Sequence, residues 1–265
     1  MQVPLFTTLR KQIPPEQRQG LLQLLRRLAQ PAWLGTMRRT TPLNDNWGIE
    51  RGTPIDRYYI DCFLRQHVCD IHGRVLEIRD NRYTKSYGMG VIRSDILDIN
   101  PANQRATVIA DLTAADAILA DQFDCFILTQ TLQYIYDTRA AVAHAHRILR
   151  PGGVLLATVP CVTRISPRYG LQTDHWRFTV ASCTTLFGTV FGAEQVTVCS
   201  YGNMLTSIAF LAGLATEDLS EQELDSHDAY FPLLVTVRAV KQAAELPVGQ
   251  VTQPTLVDNG SDRKR

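Results

Sequence analysis

Long apolar runs are missing from this 265-residue chain. None approaches the length of a membrane span, and the chain opens with no apolar signal segment, so a cytoplasmic protein without a stable membrane span is the expectation. An excess of one charge sign is missing too. Lys and Arg number 27 against 26 Asp and Glu, a net charge of +1. That balance gives no support to a nucleic-acid binder, which needs a concentrated basic surface. Cysteine is sparse and scattered. The six residues, Cys62, Cys69, Cys125, Cys161, Cys183 and Cys199, read as small buried apolar side chains rather than a disulfide framework. The one stretch mixing Cys and His, "CFLRQHVCDIH", matches no zinc spacing. On a helix Cys62 and Cys69 share a face from which His67 points away, and no metal is expected.

The most informative absence is local. "RVLEIRDNRYTKSYG" (Arg74–Gly88) begins as a buried parallel strand ending in Glu77, and no glycine follows until Gly88. A dinucleotide's pyrophosphate needs a glycine fingerprint there, so an NAD-dependent enzyme is disfavoured. If the chain turns sharply after this strand, Asn81 is the best non-glycine candidate for a positive φ.

What is present is a globular composition, 45% hydrophobic and 20% charged, enough for one α/β domain with small additions. Residues 1–50 read as an accessory segment. A helix opens at Pro15 and closes before Pro31, with Leu21, Leu22, Leu24, Leu25 and Leu28 as its apolar face. A second helix follows over "TPIDRYYIDCFLRQHV", with Thr53 as cap. From Arg74 strand and helix signals alternate: Val75–Ile78, "GVIRSDILD", "ATVIADL", "FDCFILTQ", the helix "TRAAVAHAHRIL" capped by Asp137 and stopped by "RPGG", then "VLLATVP". A helix from Thr179 to about Phe187, the strand "EQVTVCSYG", the helix "TSIAFLAGLA" and the strand "LLVTVRAVK" complete a domain over 51–242. Residues 243–265 are a polar tail. Short apolar strands separated by helices imply a parallel sheet covered on both faces, with ligands beyond the strands' carboxyl ends. Acids stand near three successive ends: Glu77, Asp95 and Asp111. A carboxylate after the second strand can accept both ribose hydroxyls, and one after the third can accept from an adenine amino group.

Together "RVLEI", "SDILD", "ATVIADLT", "FDCFILTQTLQYIYD" and "LRPGGVLLATVP" resemble the class I S-adenosylmethionine-dependent methyltransferase superfamily, in particular its type-11-like branch. "DHWRFT" resembles a segment of methyltransferase-like proteins linked with glycan biosynthesis. The resemblance implies a Rossmann-like, seven-stranded, mostly parallel sheet whose last strand is antiparallel, here with an N-terminal helical extension. It implies S-adenosylmethionine as cofactor. Glu77 would serve its methionyl end, Asp95 (with Asp98 as alternate) its ribose, and Asp111 and Leu112 its adenine. Gln130 and Tyr134 would line the cleft, and Tyr58 or Tyr59, on the helix before the first strand, would border it. The family's acidic-x-Gly-x-Gly-x-Gly loop is replaced here by Arg79, Asn81 and Tyr83.

Two readings follow from that replacement. In one, the loop bends differently, and Arg79, Arg82 or the Thr84 hydroxyl binds the cofactor's carboxylate. The protein is then a methyltransferase acting on a small molecule or glycan. In the other, Arg79 or Tyr83 blocks the pocket, leaving a non-catalytic module that binds a biosynthetic enzyme. For a hydroxyl acceptor, His175 is the candidate base, oriented by Asp174, with Trp176 and Arg177 as substrate contacts.

Overall fold

A computed structural model describes residues 35–243. The expected Leu-rich helix over 15–30 and the tail beyond 243 lie outside the described residues. Seven strands form one sheet: β1 Gly73–Ile78, β2 Val91–Asp98, β3 Val108–Ile109, β4 Phe123–Thr129, β5 Leu149–Pro160, β6 Val196–Tyr201 and β7 Leu234–Val240. Their order is β3-β2-β1-β4-β5-β7-β6. Strands β1 to β5 pair in parallel, while β7 runs antiparallel to β5 and β6. The seven strands and the antiparallel last member agree with the expectation.

The strands are apolar at consecutive positions because both faces are covered. Alternate residues diverge: Leu76, Phe126, Leu128 and Leu155 enter one core cluster, Val75, Cys125, Ile127 and Leu156 the other. The first cluster is closed by α3 (Thr138–Ile148) and α4 (Val180–Phe191), the second by α1 (Ile55–Gln66), α2 (Arg82–Tyr87) and α5 (Met204–Ala212). A further short helix, α6, spans Glu221–Asp225. Asp137 caps α3 by accepting from the Ala140 N–H, and Thr179 and Ser182 form a reciprocal capping box on α4. Gly213 ends α5 in the left-handed conformation, φ 76°.

Some local expectations differ. Thr53 does not cap α1. Pro54 holds that position, while the Thr53 N–H donates to the Glu217 carboxylate. Strand β3 keeps two residues, and "RPGG" lies inside β5 rather than before it, with Leu149 already paired to Phe123. Helices α2 and α6 are too short for periodicity to reveal.

Asp95, expected at a strand end, lies within β2 opposite Leu76. Its carboxylate accepts from Arg74 Nε (2.7 Å), Arg93 Nε (3.2 Å) and Thr107 Oγ1 (3.0 Å), and its side chain is 1% exposed. The Arg74 guanidinium also donates to Gln122 and lies over the Phe123 ring. Burial alone would raise the Asp95 pKa, but the bonds from Arg74 and Thr107 hold it below the ordinary carboxylate value. This acid fastens β2 to β1. Asp98 ends the strand instead.

Removing one partner from such a buried pair leaves an uncompensated charge. Asp95→Ala is therefore expected to cost about 3–5 kcal/mol in urea unfolding. Asp70, beside Arg238, and Asp124, beside Arg150, are also held below the ordinary carboxylate value. A depressed folded pKa contributes stability above the unfolded value, about 3.9, that is lost as pH falls through the folded value. Acid unfolding curves should accordingly steepen below about pH 4, and the steepening should weaken in Asp95→Asn.

Candidate active site

The turn after β1 is closed by a side chain. Glu77, 2% exposed, accepts from the Tyr83 N–H at Oε1 (3.0 Å), and from the Thr84 N–H (2.8 Å) and Thr84 hydroxyl (2.7 Å) at Oε2. Two otherwise unpaired donors of the first turn of α2 are thereby satisfied. Burial pushes the Glu77 carboxyl up, against the Thr84 and Tyr83 donors. The Thr84 hydroxyl, expected to face a ligand, is committed to Glu77.

Arg79, not Asn81, takes the left-handed conformation, with φ 68° against −115° at Asn81. The Arg79 N–H donates to Leu97 O, which extends the β1–β2 ladder by one residue and sets that geometry. Its side chain is exposed. Asn81 instead stands before α2 and donates to Ser94 Oγ. The Tyr83 ring belongs to the core beneath α1, where its hydroxyl accepts from Arg57 Nη1 at 3.2 Å. It does not occupy the sheet's carboxyl edge.

Along that edge Asp98 lies opposite Ile109. Its Oδ1 accepts from the Asn100 N–H, and its Oδ2 from Asn103 Nδ2, which also donates to Arg79 O. Ile99, the next residue, leaves 65% of its surface exposed. Asp111 is exposed, with Oδ1 accepting from the Thr113 N–H and hydroxyl (both 2.8 Å). Leu112 buries its side chain in the core, so only its backbone remains for a ligand. An adenosyl group fits this donor set. Asp98 and Asp111 are acceptors at adjacent strand ends, and Ile99 offers uncovered apolar surface beside them. Asp95 is spent within the sheet, which leaves Asp98, the alternate, as the acid at the end of β2.

Beyond β4, Gln130 has φ 46°, and its Oε1 accepts from Gln133 Nε2. Gln133 O accepts from the N–H groups of His175 and Trp176, which ties the 174–177 segment to the loop after β4. Trp176 Nε1 donates to Ile135 O (3.0 Å) and Tyr136 O (3.2 Å). The Tyr134 and Tyr169 rings lie 4.2 Å apart between centroids. His175 is exposed, with its ring edge-on to Tyr136. Asp174 does not orient it. That carboxylate accepts from Arg177 Nη1 and the Ser166 N–H. Arg177 also reaches Thr163 O and Arg164 O, so the pair staples residues 163–177 together. Tyr58 and Tyr59 turn away from the edge: their hydroxyls donate to Asp225 (2.6 Å) and Leu224 O (2.8 Å).

Asp56, on the helix before the first strand but given no role from sequence, does face the edge. It lines a cavity of about 10 Å³ with Gln130, Pro160, Thr163 and Phe210. An acid in a helix's first turn reads as a complement to the helix dipole, so position alone gave no other signal.

A left-handed, unbranched residue at 79 gives two opposite expectations. Arg79→Gly should leave urea stability unchanged or raise it by up to about 1 kcal/mol. Arg79→Val should lower it by about 1–3 kcal/mol, since a branched Cβ resists positive φ.

Residues 69–157 match the family model described as "Methyltransferase domain". No curated protein matches the chain. Among solved structures it is similar to a SAM dependent methyltransferase from Archaeoglobus fulgidus, at 15% identity and TM-score 0.47, covering 70% of this chain and 94% of that one. It is also similar to the N-methyltransferase NodS from Bradyrhizobium japonicum, solved in complex with S-adenosyl-l-homocysteine. That match has 16% identity and TM-score 0.46, with 75% and 93% covered. The [4+2]-cyclase SpnF is a third neighbour, at 13% identity and TM-score 0.49, with 77% and 88% covered. Residues 69–157 thus match the methyltransferase-domain family model, within a Rossmann-like α/β fold of seven mostly parallel strands.

Proposed function

We propose that the protein transfers a methyl group from S-adenosylmethionine to a small-molecule or glycan-type acceptor. The observation carrying this is the open carboxyl edge of β1, β2 and β3. There Asp98, Ile99 and Asp111 remain available while Tyr83 is drawn beneath α1. A blocked scaffold would have Arg79 or Tyr83 filling the cofactor space; the active reading is supported by Tyr83 lying in the core cluster with α1 and by the exposed Arg79 side chain.

The cofactor, when bound, supplies a sulfonium-bound methyl as electrophile. The chain's part is placement. Asp98 would hold the ribose hydroxyls and Asp111 the adenine amino group. The exposed Arg79 guanidinium, carried on the turn itself, would pair with the methionyl carboxylate. Glu77 acts through the backbone, keeping the turn shut without glycine. Acceptors would enter over β4 and β5, between Gln130 and the stapled 163–177 segment. No helix among the described residues is long and apolar enough to cross a membrane, and a cytoplasmic setting goes with this reading.

Titration calorimetry with S-adenosylhomocysteine tests it. The wild-type protein should bind. Asp98→Ala should weaken binding roughly tenfold to hundredfold, as expected for losing hydrogen bonds to a charged acceptor worth about 1.5–3 kcal/mol. Asp111→Ala should weaken it less. No heat at millimolar ligand, with the protein folded, contradicts the proposal.

A further inference from the structure

We infer that Asp56, in the first turn of α1, is the group that receives the acceptor's proton. This inference rests on the methyltransferase reading and concerns its acceptor side. Helix α1 sets its N-terminal end over the carboxyl ends of β4 and β5. Asp56 there shares a cavity with Gln130, Pro160 and Thr163, roofed by Phe210, Leu233 and Leu234. The cavity is about 10 Å³, close to the smallest space that holds one water. A hydroxyl or amino group fits such a space, and a larger polar group does not. Its walls are mostly apolar, and Gln130 and Thr163 supply polar atoms beside the carboxyl.

The carboxyl is poorly compensated. Its side chain is 14% exposed, and its nearest cation is Arg57 Nε at 4.0 Å. The Arg57 guanidinium is itself engaged by the Tyr83 hydroxyl. Among the described residues, no side chain donates a hydrogen bond to Asp56. Burial pushes its pKa above the ordinary carboxylate value, opposed by the Arg57 charge and by the backbone N–H groups of Arg57 and Asp56, and assisted by the charge of Asp61. Both of those charges lie on α1 itself, and the cavity lining from β5, β7, α5 and the segments after β4 and β5 carries none. A raised carboxyl pKa brings proton affinity nearer to what general-base work at neutral pH requires. A dipole complement alone needs no cavity and no burial.

The step balances. The acceptor's lone pair forms the new bond to the methyl carbon, the electron pair of the broken carbon–sulfur bond stays on sulfur, and the acceptor's O–H or N–H proton passes to the Asp56 carboxylate. The class of acceptor is a compound presenting one hydroxyl or amino group from an apolar body.

The test needs no identified acceptor. S-adenosylmethionine and S-adenosylhomocysteine differ in one methyl and one positive charge, both at the reacting centre. Carbon-13 NMR of the full chain, labelled at aspartate carboxyls, would follow the Asp56 titration in each complex, with Asp56→Asn and Asp56→Glu assigning the signal. An opposite charge within about 4–6 Å lowers a carboxyl's proton affinity tenfold or more. The expected result is therefore a titration at least about tenfold lower in proton affinity with the sulfonium ligand than with the thioether. In parallel, Asp56→Asn should keep S-adenosylhomocysteine affinity within about threefold of wild type. Identical titrations in two complexes that calorimetry shows to be formed overturn this inference and leave the proposed function standing. Failure of both ligands to bind overturns the two together.

Discussion

Three hydrogen bonds to one carboxylate hold this site in its shape. Glu77 accepts from the Tyr83 N–H, the Thr84 N–H and the Thr84 hydroxyl. In doing so it closes the turn that carries the chain from the central strand to its first helix. Glycine commonly serves such a turn by tolerating positive φ and close backbone approach. Here one arginine, Arg79, accepts the strained conformation, at a cost of roughly 1–2 kcal/mol. Charge-assisted bonds of about 1.5–3 kcal/mol each, together with the ladder bond to Leu97 O, are large enough to offset it. Because Glu77 pulls α2 down onto the sheet, Tyr83 goes under α1 and finds Arg57. The carboxyl edge is then left to Asp98, Ile99 and Asp111.

The same turn couples the two ends of the crevice. Arg57 donates to Tyr83, and its neighbour Asp56 faces the cavity at the ends of β4 and β5. Helix α1 is thus fixed at one residue to the turn after β1 and presents its neighbour, Asp56, to the cavity at the ends of β4 and β5. Beyond the carboxyl ends of β4 and β5 the Asp174–Arg177 pair holds the 163–177 segment against Gln133. Polar groups that look chemical in sequence serve there as fasteners, while a carboxyl that looks structural stands in the crevice.

The architecture was legible because its signals repeat. Apolar strands at successive positions and helices capped at Asp137 and Thr179 reflect local rules that the fold obeys. The site was legible only in outline. Asp95 and Asp98 are both acids at the close of one strand signal, and sequence cannot say which one ends the strand. Arg74 decides it, by drawing Asp95 into a buried pair. Likewise "TDHWRFT" suggests a His–Asp pair by adjacency. Arg177, three residues from Asp174, outcompetes the histidine for that carboxylate because a guanidinium is always charged and donates in a fork. Asn81 was the reasonable residue for positive φ on propensity alone, yet the ladder to β2 reaches one residue past Ile78 and places the constraint at Arg79. Tyr58 and Tyr59 were expected to border the cleft, yet their hydroxyls meet α6, whose five residues leave no periodic trace.

The central claim is that a turn built on Glu77, without glycine, leaves the adenosyl site open. A crystal structure of the protein grown with S-adenosylhomocysteine tests it most directly. The account expects the ribose at Asp98, the adenine beside Ile99 and Asp111, and the Glu77 bonds to Tyr83 and Thr84 intact. A structure in which the turn must unfold to admit the nucleoside, or in which the Arg79 side chain fills that edge and no nucleoside binds, contradicts it.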